Sequence, residues 1–109
     1  MSIAINPSRP SVEHCHTMAD VRRNIDALDD RIVALVAERS AYVAQAARIK
    51  QSAGQIVDNA RIEFIIDRVR AQARAAGAPE AILEAAYRAM IAASIDFERC
   101  EFQRLRGEA

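Results

Sequence analysis

Arg39 is the residue whose position most needs a chemical explanation. It falls on an apolar seam that runs Val21, Ile25, Leu28, Ile32, Leu35, Arg39, Tyr42, Ala46 and Ile49, the alternating stride of three and four residues shown by one packed face of a helix. Burying an unpaired guanidinium costs on the order of several kcal/mol. The seam therefore calls for either a permanent carboxylate partner or an anionic ligand. Further along, a second apolar stripe, Leu83, Tyr87, Ile91, Ser94, Glu98, Phe102 and Leu105, is broken on adjacent turns by a hydroxyl and a carboxyl at core-facing positions. Lys50 follows Arg39 by eleven residues, which places both on nearly one helix face about 16 Å apart. Long side chains converge across that gap. Cations, a hydroxyl and a carboxyl aimed into a helical interior suit a small dianion held by charge-assisted hydrogen bonds.

Arg22 is placed differently. It precedes Arg39 by seventeen residues, about 25 Å of helix and a markedly different face, so it cannot reach the same small ligand within one chain. A neighbouring copy running antiparallel can bring it there. Each of these residues also has a plain structural reading. Glu98 neutralises Arg39 or Lys50 in a buried pair that fixes register, Arg22 and Lys50 are solvated face residues, and Ser94 bonds back to its own helix. Tyr42 and Tyr87 read as packing residues. The collective pattern favours the ligand.

Three helices must position these groups. Residues 1–17, with Pro7, Pro10 and scattered serines, read as an irregular leader before a helical domain over 18–109. Thr17 followed by Asp20 marks a helix start, and nothing breaks the pattern until Gly54, so the first helix is expected over residues 18–53. Asp58 caps a second helix carrying Ile62, Ile65, Ile66, Val69 and Ala73 up to Gly77. The third begins with Pro79 as its first helical residue and continues close to the C-terminus. The fold class is thus all-α. A first helix of that length spans about 54 Å, against a radius of gyration of about 13 Å for a compact domain of this size. One chain cannot cover such a rod, and an intertwined helical homodimer is expected.

Composition narrows the function. A formal net charge of zero removes any general electrostatic reason to bind nucleic acid or an acidic membrane. No apolar run approaches the ~18 residues of a membrane span, and the first residues lack the pattern of a signal peptide; the expected location is cytoplasmic. Cys15 and Cys100 match no metal or redox spacing and read as free thiols. His14-Cys15-His16 is too small a ligand set in a flexible leader to be read as a metal site, so no metal or cofactor is expected.

The segment Asp20-Val21-Arg22-Arg23-Asn24-Ile25-Asp26-Ala27-Leu28-Asp29, followed by Ile32, Leu35, Ala37-Glu38-Arg39 and Lys50, resembles the first helix of the all-helical chorismate mutase family. Asp58 and Arg61 resemble that family's loop and second-helix start, and Ile91, Ser94 and Glu98 fall where its third helix lines the active site. The likeness covers roughly residues 18–106. It implies an intertwined dimer with two active sites, each combining Arg39 and Lys50 of one chain with Arg22 of the other. Such enzymes rearrange chorismate to prephenate without a cofactor, a step in the biosynthesis of phenylalanine and tyrosine. The resemblance implies that Arg39 with Ser94 grips one substrate carboxylate, that Arg22 in trans grips the other, that Lys50 stabilises charge on the breaking ether oxygen, and that Arg61 supports a carboxylate or orients its neighbours.

Two positions depart from the family pattern. Glu98 stands where these mutases often present glutamine, a neutral donor. A carboxylate cannot donate, so Glu98 must be protonated to serve the ether oxygen; burial and Lys50 act on it in opposite directions. Ile62 stands where the best-known members place a glutamate that contacts the substrate ring hydroxyl. In this, and in the short link from Lys50 to Arg61, the chain is similar to the isochorismate pyruvate lyases of the same fold, which release salicylate and pyruvate. The mutase is the first reading and the lyase the alternative. A non-catalytic helical dimer acting as an interaction module is the second alternative.

Overall fold

The computed structural model describes residues 11–107. Among them there are three α-helices and no strand: α1 (Met18–Ile49), α2 (Asn59–Ala76) and α3 (Glu80–Leu105), with a single 3-10 turn at Ala53–Gln55 between the first two. Residues 11–17 belong to neither helix nor strand, and the rest of the expected leader, residues 1–10, lies outside the described residues.

Local chemistry sets most of the boundaries. The Thr17 hydroxyl accepts from the Asp20 backbone N–H at 3.1 Å and the Asp20 carboxylate accepts from the His16 N–H at 3.3 Å, so two otherwise orphaned donors at the start of α1 are satisfied. That His16 bond, aided by Arg23 and Thr17, holds the Asp20 carboxyl below its ordinary value. Asp58 caps α2 through its bond from the Arg61 N–H at 3.0 Å. Gly77 ends α2 in the left-handed region at φ 72°, where its N–H and that of Ala78 close onto the last turn. An added Cβ at Gly77 meets nothing within 4 Å, so Gly77→Ala is expected to cost only the left-handed backbone penalty, about 1 kcal/mol, read as a lowered midpoint in denaturant unfolding with an unchanged slope.

Two boundaries differ from the sequence expectation. Pro79, expected as the first helical residue of α3, stands just before it with an extended ψ of 116°. The larger difference is at the end of α1, expected at residue 53 and found at Ile49, with Lys50 turning the chain out at ψ 141°. The physical reason is competition for the next turn's hydrogen bonds: Gln55 Oε1 takes the Gln51 N–H at 2.8 Å and Arg106 Nη1 takes the Ala47 carbonyl at 2.8 Å.

α3 is the central element, packing on both α1 and α2. The core is small: Ile66, Val69 and Ala73 of α2 with Ile91 of α3, plus Ala47 and Ile56. The expected stripes of α2 and α3 are turned inward except for Leu105 at the end of α3, which is exposed, whereas the seam of α1 is mostly bare. Ile25, Leu28, Ile32 and Leu35 are half or more exposed, and so are Tyr42 and Ile49, which the seam places inside. The covered part of α1, packed on α3, keeps Arg39 and Ala46 of the seam and adds Val43, Ala47 and Lys50. The molecule is correspondingly elongated, with a radius of gyration of 17.8 Å and a long axis of 57 Å. No helix among the described residues is long and apolar enough to cross a membrane.

Candidate active site

A cavity of about 430 Å³ lies where α1, the 51–58 link, α2 and α3 meet. Its wall includes Arg39 and Lys50 from α1 and its cap, Asp58, Arg61 and Ile62 from the start of α2, and Ser94 and Glu98 from α3. Seven of the eight residues picked out from the sequence are therefore brought together. The size suits a small metabolite.

Helix geometry explains the convergence. Ser94 and Glu98 are four residues apart on α3 and so share one face. Arg39 and Lys50 share the facing side of α1, and the two pairs meet in register. Arg39 Nη1 donates to Ser94 Oγ at 3.3 Å, and one end of the cavity is thereby defined by a guanidinium and a hydroxyl. At the other end Lys50 Nζ donates to Glu98 Oε2 at 2.6 Å. Glu98 is the buried charged residue of the described chain, 6% exposed. Its partner is Lys50 rather than Arg39, which settles the choice that the sequence left open.

Arg39 consequently has no carboxylate partner among the described residues; its polar contact there is the neutral Ser94 hydroxyl. Arg61 likewise forms no ion pair among the described residues, and its guanidinium carbon lies 5.2 Å from the centre of the Phe64 ring. Asp58 lines the cavity while its carboxylate is engaged in capping α2. Three cations against two carboxylates leave the wall positive, with Arg39 and Arg61 available to an anion. The apolar part of the wall comes from Ile62, Ile65, Ile91 and Ile95, and provides a surface for a nonpolar ring.

Arg22 is the residue that one chain does not bring to the site. It sits exposed near the start of α1 and does not line the cavity. Its neighbour Arg23 is tied to Asp20 at 3.2 Å, leaving Arg22 as the cation of the pair without an acidic partner among the described residues. Sequence reasoning missed Gln55 and Ile56, which close the cavity from the 51–58 link. The Ser52-x-x-Gln55 spacing of a capping box was the available signal for Gln55. Among the described residues no group of three or more His, Cys, Asp or Glu side chains is arranged to hold a metal ion, and the His14 and His16 rings pack edge to face with centroids 5.1 Å apart.

The family model described as chorismate mutase type II matches residues 21–99. Over 54 residues the chain is 39% identical to a protein of Methanocaldococcus jannaschii named chorismate mutase, a stretch that makes up 49% of this chain and 54% of that relative. The chain thus spans about half the length of the curated relative it matches. No solved structure matches the chain.

Proposed function

The chain belongs to the type II chorismate mutase family, and from that premise we propose that it is an isomerase converting chorismate to prephenate by a cofactor-free pericyclic rearrangement. The observation that carries this reading is the half-buried Arg39, which faces a cavity of metabolite size with a hydroxyl and, among the described residues, no acid as its partner. A guanidinium so placed binds a carboxylate through paired, directed N–H bonds.

The proposed chemistry needs no nucleophile. Arg39 with Ser94 holds one substrate carboxylate, and Arg61 supports the wall beside it. The second carboxylate goes to the partner subunit's Arg22, fixing the flexible enolpyruvyl arm over the ring in a near-attack geometry. Lys50 donates to the ether oxygen as negative charge gathers there during bond breaking. The bare stripe Ile25, Leu28, Ile32 and Leu35 supports an intertwined homodimer, because a second antiparallel copy both covers those residues and supplies Arg22. In this reading residues 18–109 form the catalytic domain, residues 1–17 a leader outside it, and the unpaired thiols of Cys15 and Cys100 fit a reducing, cytoplasmic setting.

Glu98 is the group whose role beside Lys50 a single substitution tests. In the pair with Lys50 it accepts; to help Lys50 at the ether oxygen it must carry a proton and donate. Glu98→Gln, whose amide donates where the carboxylate only accepts, is expected to keep or raise kcat for chorismate. A hundredfold loss of kcat in the glutamine variant removes Glu98 as a donor and leaves it as the acceptor that holds Lys50 in place.

A second reading rests on Ile62, which gives the cavity an apolar group where a ring hydroxyl would find a carboxylate in the best-known mutases. It makes the chain an isochorismate pyruvate lyase. Incubating the protein separately with chorismate and isochorismate, and quantifying prephenate, salicylate and pyruvate, decides between them. Prephenate as the dominant product supports the mutase, salicylate with pyruvate replaces it by the lyase, and no turnover of either leaves a non-catalytic interaction module.

A further inference from the structure

The last four carbonyls of a helix have no partner within it, and how they are satisfied decides whether the chain turns away or winds on. At the end of α1 the Lys50 N–H closes onto the Ala46 carbonyl at 2.9 Å, the final bond of the helical ladder. Continued winding requires the Gln51 N–H to reach the Ala47 carbonyl and the Gly54 N–H to reach the Lys50 carbonyl. Residues 51–53 contain neither glycine nor proline, and the local competitor is Gln55, whose Oε1 accepts from the Gln51 N–H at 2.8 Å and leaves the Ala47 and Lys50 carbonyls free. Both acceptors are taken instead by one side chain from far along the chain. Arg106 donates through Nη1 to the Ala47 carbonyl at 2.8 Å and through Nη2 to the Lys50 carbonyl.

A third contact orients the side chain. The Arg106 guanidinium carbon lies 3.7 Å from the centre of the Phe102 ring, a cation–π contact that orients the planar fork. Ser94, Glu98, Phe102 and Arg106 recur every four residues. One stripe therefore meets Arg39 with its first member and the Lys50 ammonium with its second, and its end grips the backbone on either side of Lys50. A cation here also faces the negative end of α1.

We propose that Arg106 is a positioning residue for the cavity: by occupying the Ala47 and Lys50 carbonyls it stops α1 at Lys50 and so sets the place of the 51–58 link, whose Gln55, Ile56 and Asp58 close one side of the site. It does not line the cavity itself and acts through the backbone. The consequence for turnover rests on the functional reading above; the consequence for the fold of residues 51–54 does not.

The test compares Arg106→Ala and Arg106→Lys with Arg104→Ala, which removes an exposed arginine paired with Glu101 on the same turn. Backbone chemical shifts of residues 51–54 are measured in the free protein, and kcat and KM for chorismate are measured alongside. In the alanine variant the shifts of 51–54 are expected to move to helical values, KM to rise about tenfold and kcat to fall less, since the link contributes to binding more than to bond breaking. The lysine variant, which keeps a donor but not the fork, is expected to fall between; if the alanine variant does not fold, the lysine variant carries the same comparison at smaller amplitude. Arg104→Ala is expected to match the wild type in every readout. Any other outcome at residues 51–54, or a KM within twofold of wild type despite helical shifts, overturns the proposal. A wild-type protein that turns over no chorismate sinks the functional reading instead, and leaves the shifts to judge Arg106.

Discussion

Replacing Lys50 by alanine is expected to lower kcat/KM for chorismate by about a hundredfold to a thousandfold, the loss that follows when one preorganised donor to a developing oxyanion is removed. The same change has a structural cost. Glu98 is 6% exposed and Lys50 Nζ, at 2.6 Å, is its hydrogen-bond partner; without it the carboxylate is left buried and uncompensated, a loss of about 3 kcal/mol. The two effects come apart in Lys50→Ala/Glu98→Gln. The neutral amide tolerates burial, so the double variant is expected to regain most of the stability measured by denaturant unfolding while remaining as inactive as the single one. If activity returns together with stability, the Lys50–Glu98 pair is a register device and the cavity's chemistry lies elsewhere. Catalytic constants measured beside unfolding midpoints, on the single and double variants, separate these outcomes.

The residues that carry this prediction were legible because their signal is local. Arg39, Ser94 and Glu98 interrupt apolar stripes whose period comes from helix geometry alone, and Lys50 follows from the same period at eleven residues' distance. Caps such as Thr17 and Asp58, and the left-handed Gly77, are equally local and were placed correctly. What escaped the sequence depends on contacts between distant segments. The end of α1 was misplaced by four residues because Arg106 acts on it from the far end of α3, while the local signal, the Ser52–Gln55 capping box that draws off the Gln51 N–H, was overlooked. The choice of Lys50 over Arg39 as the partner of Glu98 depends on how α3 is set along α1, which no periodicity encodes. Tyr42 and Ile49 were assigned to a covered seam, yet the single chain leaves them 69% and 65% exposed. The stripe was read correctly as apolar; what lies against it is a property of assembly.

Mixing two inactive variants, Arg22→Ala and Arg39→Ala, is expected to restore activity that neither has alone. The reason is geometric. Arg22 and Arg39 lie on one straight helix of 32 residues, separated by about 25 Å, and the cavity that contains Arg39 does not include Arg22. If a single chain carried the whole reaction, Arg22→Ala would be nearly silent. In the proposed antiparallel pair each site takes Arg39 from one subunit and Arg22 from the other, so each homodimer of either variant is defective at both sites. A heterodimer concentrates both defects in one site and leaves the other intact. Random pairing from equal amounts makes half of the dimers mixed, giving about a quarter of the wild-type sites. Because the proposed dimer is intertwined, subunits must be exchanged by co-expression or by unfolding and refolding together, and the control is each variant treated in the same way alone. Activity that stays at the level of the separate variants, with dimers present by sedimentation, excludes Arg22 as a contributor in trans. Arg22→Ala retaining near-wild-type kcat/KM excludes it altogether, and the exposed stripe on α1 would then serve assembly without completing the site.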